Sequence, residues 1–280
     1  MTTPDQSVVW LDGELLRAAD ARVSPFDHGL LVGDGVFETT KVVAGVPFAL
    51  RRHLARLRRS AGGLRITVPF TDEELSEAIT AVIAANGPGT GRLRTTVTGG
   101  PGPLGSDRGT VLPTVLIAAS AATVWPPSTA VVTVPWPRNE RSAVAGLKTV
   151  SYAENVVALT YAHERGASEA VFPNTTGLLC EGTGSNVFLV HEGRLVTPTL
   201  AAGCLGGITR ELVLETSDAV ECDVPLEALA GAAEAFLTSS TRDVQPISRV
   251  DGRALPTCPG PHTERAAAAL AALSARTLDP

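Results

Sequence analysis

Residues 146–158 read GLKTVSYAENVVA, and the reading of the chain turns on the lysine at 148. Positive charge is otherwise written as arginine, with two lysines, Lys41 and Lys148, against twenty-one arginines. Lysine differs from arginine in being able to lose its proton and attack a carbonyl carbon. VAGL before it and TVSYAENVVAL after it are apolar surroundings for an ammonium group. Desolvation of that kind lowers a lysine pKa from about 10.4 toward neutrality. Two readings follow for Lys148: a nucleophilic amine poised for a carbonyl, or a solvated lysine at the start of a helix.

Composition narrows the function classes. The 280 residues are 44% hydrophobic and 19% charged, enough for a substantial core, and the 27 glycines and 20 prolines are scattered. A net charge of −6 argues against nucleic acid or an anionic membrane as partner. The four cysteines and five histidines show no metal-ligand spacing, so no metal is expected. Without an apolar leader, and with no apolar run near the ~20 residues a bilayer span needs, the expectation is a soluble cytoplasmic protein with no membrane partner.

Element by element, the chain reads as α+β. SVVWL and ELLRA flank Asp12-Gly13 as a hairpin, followed by strands in GVFETTKVVAG and VPFA. Residues 50–62 carry Leu50, Leu54 and Leu57 at helical spacing. A second helix is framed by Thr71, Glu74 and Gly87 as capping box and stop. Strands RLRTTVTGG and TVLPTVLIAAS close a smaller N-terminal α/β domain over 1–120. A proline-bearing linker at 121–128 leads to a larger C-terminal domain of mixed strands and helices over 129–280. Within it, 151–165 is expected to be a helix with Tyr152, Val156, Leu159 and Ala162 on one stripe, PLEALAGA another helix, and TERAAAALAALSAR the last.

Five motifs carry possible chemistry. Beside Lys148, the segment LCEGTGSNVFLV (179–190) puts Glu181 in an apolar strand, where a carboxylate needs a partner such as an aromatic nitrogen cation. CLGGITREL (204–212) runs glycines into a helix carrying Thr209, a start able to take phosphate or simply a tight turn. RRHLARLRRSA places six arginines and no acid between 51 and 65, one of which could grip a phosphate bidentately. FLTSSTRDVQPI (236–247) ends a strand in hydroxyls, with Ser240 and Thr241 as candidate donors. GDGVFE (33–38) is not a dinucleotide fingerprint, because its glycine spacing is wrong and a strand follows.

In this order, H-x-x-R-L, a lysine before a helix, E-G-x-x-S-N-V-F, G-I-T-R-E and a hydroxyl-rich strand end resemble the class IV aminotransferases. These are the fold type IV enzymes that use pyridoxal 5′-phosphate (PLP). The resemblance spans about Trp10 to Gly252. It implies a two-domain α+β fold and PLP held by Lys148 as a Schiff base. It also implies Glu181 at the pyridine nitrogen, Leu205 against the ring, and the phosphate on Arg56, Ile208, Thr209, Ser240 and Thr241. Tyr152 lies four residues after the lysine, where branched-chain relatives have a tyrosine at five, so it is either a cofactor contact or packing. The resemblance further implies a homodimer with the active site near the subunit interface. The segment around His28 or the loop 99–109 would be the partner's contribution.

The substrate side departs from one branch of the family. D-amino-acid transaminases hold the carboxylate with a tyrosine in GDGVYE and an Arg-x-His pair after VT; here these positions are Phe37 and Gly99 onward. Phe37, Arg92, Arg94 and His28 are the substrate candidates, with Arg138 and Arg141 as further possible carboxylate ligands. The leading expectation is amino transfer between a D-amino acid or (R)-amine and a 2-oxo acid through pyridoxamine phosphate. The alternatives are 4-amino-4-deoxychorismate lyase, branched-chain L-amino-acid transaminase, and a non-catalytic binding protein on the same fold.

Overall fold

The computed structural model describes residues 7–280, and contacts divide them into two compact units. The first comprises residues up to Thr123 together with Leu147–Tyr152 and Thr277–Pro280; the second comprises Val124–Gly146 and Ala153–Arg276. The expected single cut at 121–128 differs from this grouping. The segment 147–152 runs alongside a strand of the first unit, with Val36 and Thr149 bridged, so its backbone partners lie there.

The first unit is built on a six-stranded sheet. Its elements are β1 (Val8–Leu11), β2 (Glu14–Arg17), α1 (His28–Leu31), β3 (Gly35–Val43), β4 (Val46–Pro47), α2 (Leu50–Gly63), α3 (Asp72–Asn86), β5 (Arg92–Thr98) and β6 (Val115–Ser120). The strand order is β2-β1-β6-β5-β3-β4, antiparallel throughout. The β1–β2 hairpin turns at Asp12 and Gly13, both at positive φ, which suits the right-handed twist of paired strands. In β5, Leu93, Thr95 and Val97 are buried while Arg92 and Arg94 are not, the period of two expected of a half-buried strand. That buried face packs with Leu54, Leu57 and Ala61 of α2 and Leu75, Ile79 and Val82 of α3. The capping box of α3 forms as expected, with Thr71 and Glu74 exchanging side-chain-to-backbone bonds.

Helix α2 begins differently. Its N-cap Ala49 sits at φ 56° and offers no side chain to the first-turn amides. Asp279 supplies the cap instead: its Oδ1 accepts the Arg51 amide at 3.1 Å and its Oδ2 the Arg51 Nε at 2.6 Å. The Leu278 carbonyl accepts the Ala49 amide at 2.7 Å.

The second unit carries β7 (Thr129–Thr133), α4 (Ala153–His163), β8 (Glu169–Pro173), β9 (Leu179–Gly182), β10 (Asn186–His191), β11 (Arg194–Thr197), α5 (Ile208–Thr216), β12 (Val220–Glu221), β13 (Ala235–Ser239), β14 (Asp243–Val250), β15 (Arg253–Ala254) and α6 (Pro261–Arg276). Its sheet runs β12-β11-β10-β13-β14-β7-β8-β9, with β15 on β14. The β11–β12, β14–β7 and β7–β8 pairs are parallel and the rest antiparallel, so the mixed α+β class is as expected. Among the described residues, no helix is long and apolar enough to cross a membrane.

Three local expectations are corrected. The buried stripe of α4 is Asn155, Ala158 and Ala162, while Val156 is 61% exposed. Small residues let this helix lie close to Val132, Ala170 and Phe172, and the bulkier valines are turned outward. PLEALAGA forms only a 3-10 turn at Leu226–Ala228, and the VPFA strand is limited to two residues.

Asp279→Ala is expected to destabilise the protein by about 1 kcal/mol, the usual worth of an N-cap. Urea unfolding monitored by circular dichroism measures it; an unchanged midpoint would show that α2 needs no cap from this segment.

Candidate active site

In the first unit, the residues around Lys148 are held from two sides. The Phe37 amide donates to the Lys148 carbonyl at 3.0 Å, and the Val150 amide to the Gly35 carbonyl at 2.8 Å. The Lys148 amide donates to Ser60 Oγ of α2 at 3.1 Å. Gly63 of α2 lies against the Leu147 side chain, which a Cβ there would approach to 2.6 Å and displace. The lysine is half-buried, its Nζ 4.4 Å from the Phe37 ring centre and 5.9 Å from that of Tyr152. Tyr152 meets Phe37 edge-on at 5.1 Å. The Arg94 guanidinium lies 3.6 Å from the same Phe37 ring. Lys148, Phe37, Tyr152 and Arg94 are therefore brought together, whereas Arg92 turns to Ser120 Oγ at the sheet surface.

The alternation of β3 sends Glu38 to the face opposite Phe37. There its carboxylate, 2% exposed, accepts Arg56 Nε at 2.8 Å, Arg56 Nη2 at 2.7 Å and His53 Nδ1 at 2.7 Å. Burial alone would raise the Glu38 pKa, but Arg56 and His53 outweigh it and hold the carboxylate down at about 2. Burial lowers the His53 pKa despite Glu38, so the ring is neutral and donates its Nδ1 proton. Arg56, expected on phosphate, is thus already fixed in place by two bonds.

His28 is 1% exposed and packed rather than presented. Its Nε2 is 2.8 Å from the Pro103 carbonyl, its amide donates to Gly100, and Gly102 leaves room for the ring. Arg108 grips Asp34 with two nitrogens. The two segments proposed as alternatives, around His28 and at 99–109, are one interlocked structure. Phe26, Leu30, Leu104 and Leu112 are exposed along it.

In the second unit, the residues of E-G-x-x-S-N and G-I-T-R-E converge on Leu205. Glu181 Oε2 accepts the Leu205 amide at 2.9 Å, and Asn186 Nδ2 donates to the Leu205 carbonyl at 2.8 Å. Gly207 is required beside them, since a Cβ there would overlap Asn186 Oδ1. Gly207 is also the N-cap of α5 and offers no side chain, so the first-turn amides of Ile208 and Thr209 have no side-chain cap. Thr209 is buried in that turn, and Ser240 and Thr241 are half-buried where β13 turns into β14. The thiols flanking Glu181 in space are quiet. Burial, then Glu181, pushes Cys204 up to about 12 and Cys180 higher still, so neither competes as a nucleophile.

Two carboxylate ligands considered from sequence are otherwise engaged. Arg138 bonds to Glu154 and Asn155 and lies 3.2 Å from Glu181, and Arg141 is a surface residue near Glu140. Glu38, His53, Asn155, Asn186 and the pairing of Arg138 with Glu181 were not read from sequence. Asn186 lies inside a quoted motif and Glu38 inside GDGVFE, so both were in view.

Acid titration tests the buried pairing. Glu38 stabilises the fold fully above its ordinary pKa near 4.5, and this is lost as pH falls toward 2. His53, lowered from 6.5, adds a loss that begins below its ordinary value. Glu38→Gln is expected to cost about 3–5 kcal/mol in urea unfolding at pH 7 by stranding Arg56, and to flatten the acid limb between pH 4.5 and 2. A loss under about 1 kcal/mol would show that Arg56 does not depend on this carboxylate.

The geometry matches known proteins. The family model for amino-transferase class IV fits residues 35–250. A branched-chain aminotransferase of Thermoproteus uzoniensis, solved with norvaline, superposes with a TM-score of 0.88 at 33% identity, covering 94% of this chain and 92% of that one. The aminodeoxychorismate lyase of Bacillus subtilis is 31% identical over 87% of both chains. The D-alanine aminotransferase of Bacillus licheniformis is 30% identical over 94% of this chain and 95% of its own. A lysine in an apolar nest, a carboxylate aimed by a backbone amide and an uncapped helix start thus stand in a chain that belongs to the class IV aminotransferases, enzymes that use pyridoxal 5′-phosphate.

Proposed function

We propose that the chain transfers an amino group between an aliphatic L-amino acid of the branched-chain type and a dicarboxylic 2-oxo acid such as 2-oxoglutarate. The observation that carries this reading is the cluster of Arg94 on Phe37, with the Lys148 amine 4.4 Å from that ring. Phe37, buried beneath Arg94, keeps the surroundings of the amine apolar, which suits an aliphatic substrate, and Arg94, exposed on β5, gives a distal carboxylate a planar two-pronged partner.

The residues present fit PLP by their chemistry. Lys148 offers an amine to its carbonyl, Glu181 an anion to its ring nitrogen, and Leu205 an apolar side chain beside the ring. The Ile208 and Thr209 amides, the hydroxyls of Thr209, Ser240 and Thr241, and Arg56 offer donors to its phosphate. The uncapped start of α5 supports this set, since its amides have no capping side chain and favour an anion. When bound, PLP supplies an electron-withdrawing ring that accepts the electrons of the substrate Cα–H bond. With PLP held there, the Lys148 amine would be the base that takes the proton from the substrate Cα and holds it on Nζ. Proton transfer by a positioned base is typically worth about 10² to 10⁴ in rate. Glu181 keeps the ring nitrogen protonated, and Tyr152 packs beside the amine.

A D-amino acid or (R)-amine donor is the second reading, favoured by the similarity to the D-alanine enzyme. The exposed Phe26, Leu30, Leu104 and Leu112 favour a homodimer built on that face, to be checked by sedimentation.

Separate addition of L-leucine, D-alanine and (R)-1-phenylethylamine to the PLP-loaded enzyme decides the donor. Conversion of the visible cofactor band with L-leucine alone is expected. Conversion with D-alanine or the amine alone would move the assignment to the second reading. No conversion with any, but pyruvate release from aminodeoxychorismate, would make the enzyme a lyase. Arg94→Leu is expected to raise KM for 2-oxoglutarate about 10- to 100-fold, the worth of one charged hydrogen bond, with KM for L-leucine nearly unchanged. An equal rise for both would remove Arg94 from acceptor recognition.

A further inference from the structure

Arg138 is a charged side chain that the reaction as described leaves without a task. It follows β7, where its amide donates to the Pro173 carbonyl at 2.7 Å and it bridges to Asn174. Its guanidinium lies 4.2 Å from the Phe172 ring centre, and Phe172 is the residue paired with Glu181 across β8 and β9. Arg138 Nη1 donates to Glu154 and, at 3.2 Å, to Asn155 Oδ1. Its Nε stands 3.2 Å from Glu181 Oε1 yet makes no hydrogen bond, although it is buried.

A buried donor left without a hydrogen bond is costly. An arginine placed only to brace α4 could turn its Nε toward water or a carbonyl. Here its guanidinium lies over Phe172 with Nε against the carboxylate, an ion pair made at the expense of a hydrogen bond. The Glu181 carboxylate is only 14% exposed, and its other oxygen takes the Leu205 amide. Burial of this kind drives a carboxyl group toward its neutral form unless a cation faces it. A carboxylate has about four acceptor positions, so it can meet Arg138, Leu205 and a ring N–H together.

We propose that Arg138 is a positioning residue that keeps Glu181 ionised and aimed, and so sets how strongly the site recognises a protonated ring nitrogen. This rests on the reading that Glu181 meets that nitrogen. Glu154 shares Arg138 from the far side and moderates the pull on Glu181.

The test compares affinities of the cofactor-free protein for PLP and for 1-deaza-PLP, in which a C–H replaces the ring nitrogen, by fluorescence titration. The native protein is expected to prefer PLP about tenfold or more. In Arg138→Met the preference should fall below about threefold, chiefly through weaker PLP binding, and Arg138→Lys should restore part of it. Glu154→Gln, which removes the carboxylate competing with Glu181 for Arg138, should keep or raise the preference, and it carries the test should Arg138→Met fail to fold. Equal weakening of both ligands in Arg138→Met, or loss of preference in Glu154→Gln, overturns the proposal. Glu181→Gln separates the two levels. If it retains the native preference, the placement of Glu181 at the nitrogen falls and this inference with it. If it abolishes the preference while Arg138→Met retains it, only the role of Arg138 is overturned.

Discussion

A guanidinium cannot be left alone in the interior of the first unit, and the bond between Arg56 and Glu38 answers that constraint. Glu38 is on β3 and Arg56 on α2, so satisfying the buried charge fixes the helix against the strand. The same strand turns Phe37 to its other face, beneath the Lys148 amine. The same helix offers Ser60 to the Lys148 backbone. The backbone that carries the amine is therefore placed by the strand and helix that this charge pair joins.

The second unit solves a related problem with a peptide. Leu205 is held at its amide by Glu181 and at its carbonyl by Asn186, so the strand motif and the glycine turn are locked to one another. Asn155 ties the turn after Glu181 to α4, and Glu169 accepts bonds from Thr183 and Ser185 beneath it. Preorganisation of this kind leaves little reorientation to be made when a ligand arrives.

Much of this was legible where the governing interaction is local. The Asp12-Gly13 turn and the Thr71–Glu74 capping box each depend on residues within four positions, and each formed as read. The helix at 151–165 was located, but its buried face was misassigned. Of the expected stripe Ala162 is buried, but hydrophobicity pointed to Val156 where close packing selected Asn155 and Ala158. Glu38 escaped notice because its meaning depends on Arg56, eighteen residues on, and on which face of β3 it takes. The identities of Lys148, Glu181 and Thr209 stood out through motifs, yet Arg138 acquires significance only once folding sets it on Phe172.

The stitching of residues 277–280 onto α2 has a consequence for synthesis. A ribosome releases α2 long before Asp279, which lies 228 positions beyond the helix residue it caps. The edge partner of β3, residues 147–152, also emerges only after the sheet it joins. The first unit is thus first in the chain but cannot be completed first, and nascent α2 must wait with its opening amides uncapped. Loop closure over such distances is slow relative to local helix formation. This unit is a discontinuous object: residues 7–123 taken by themselves would lack both the edge segment and the cap.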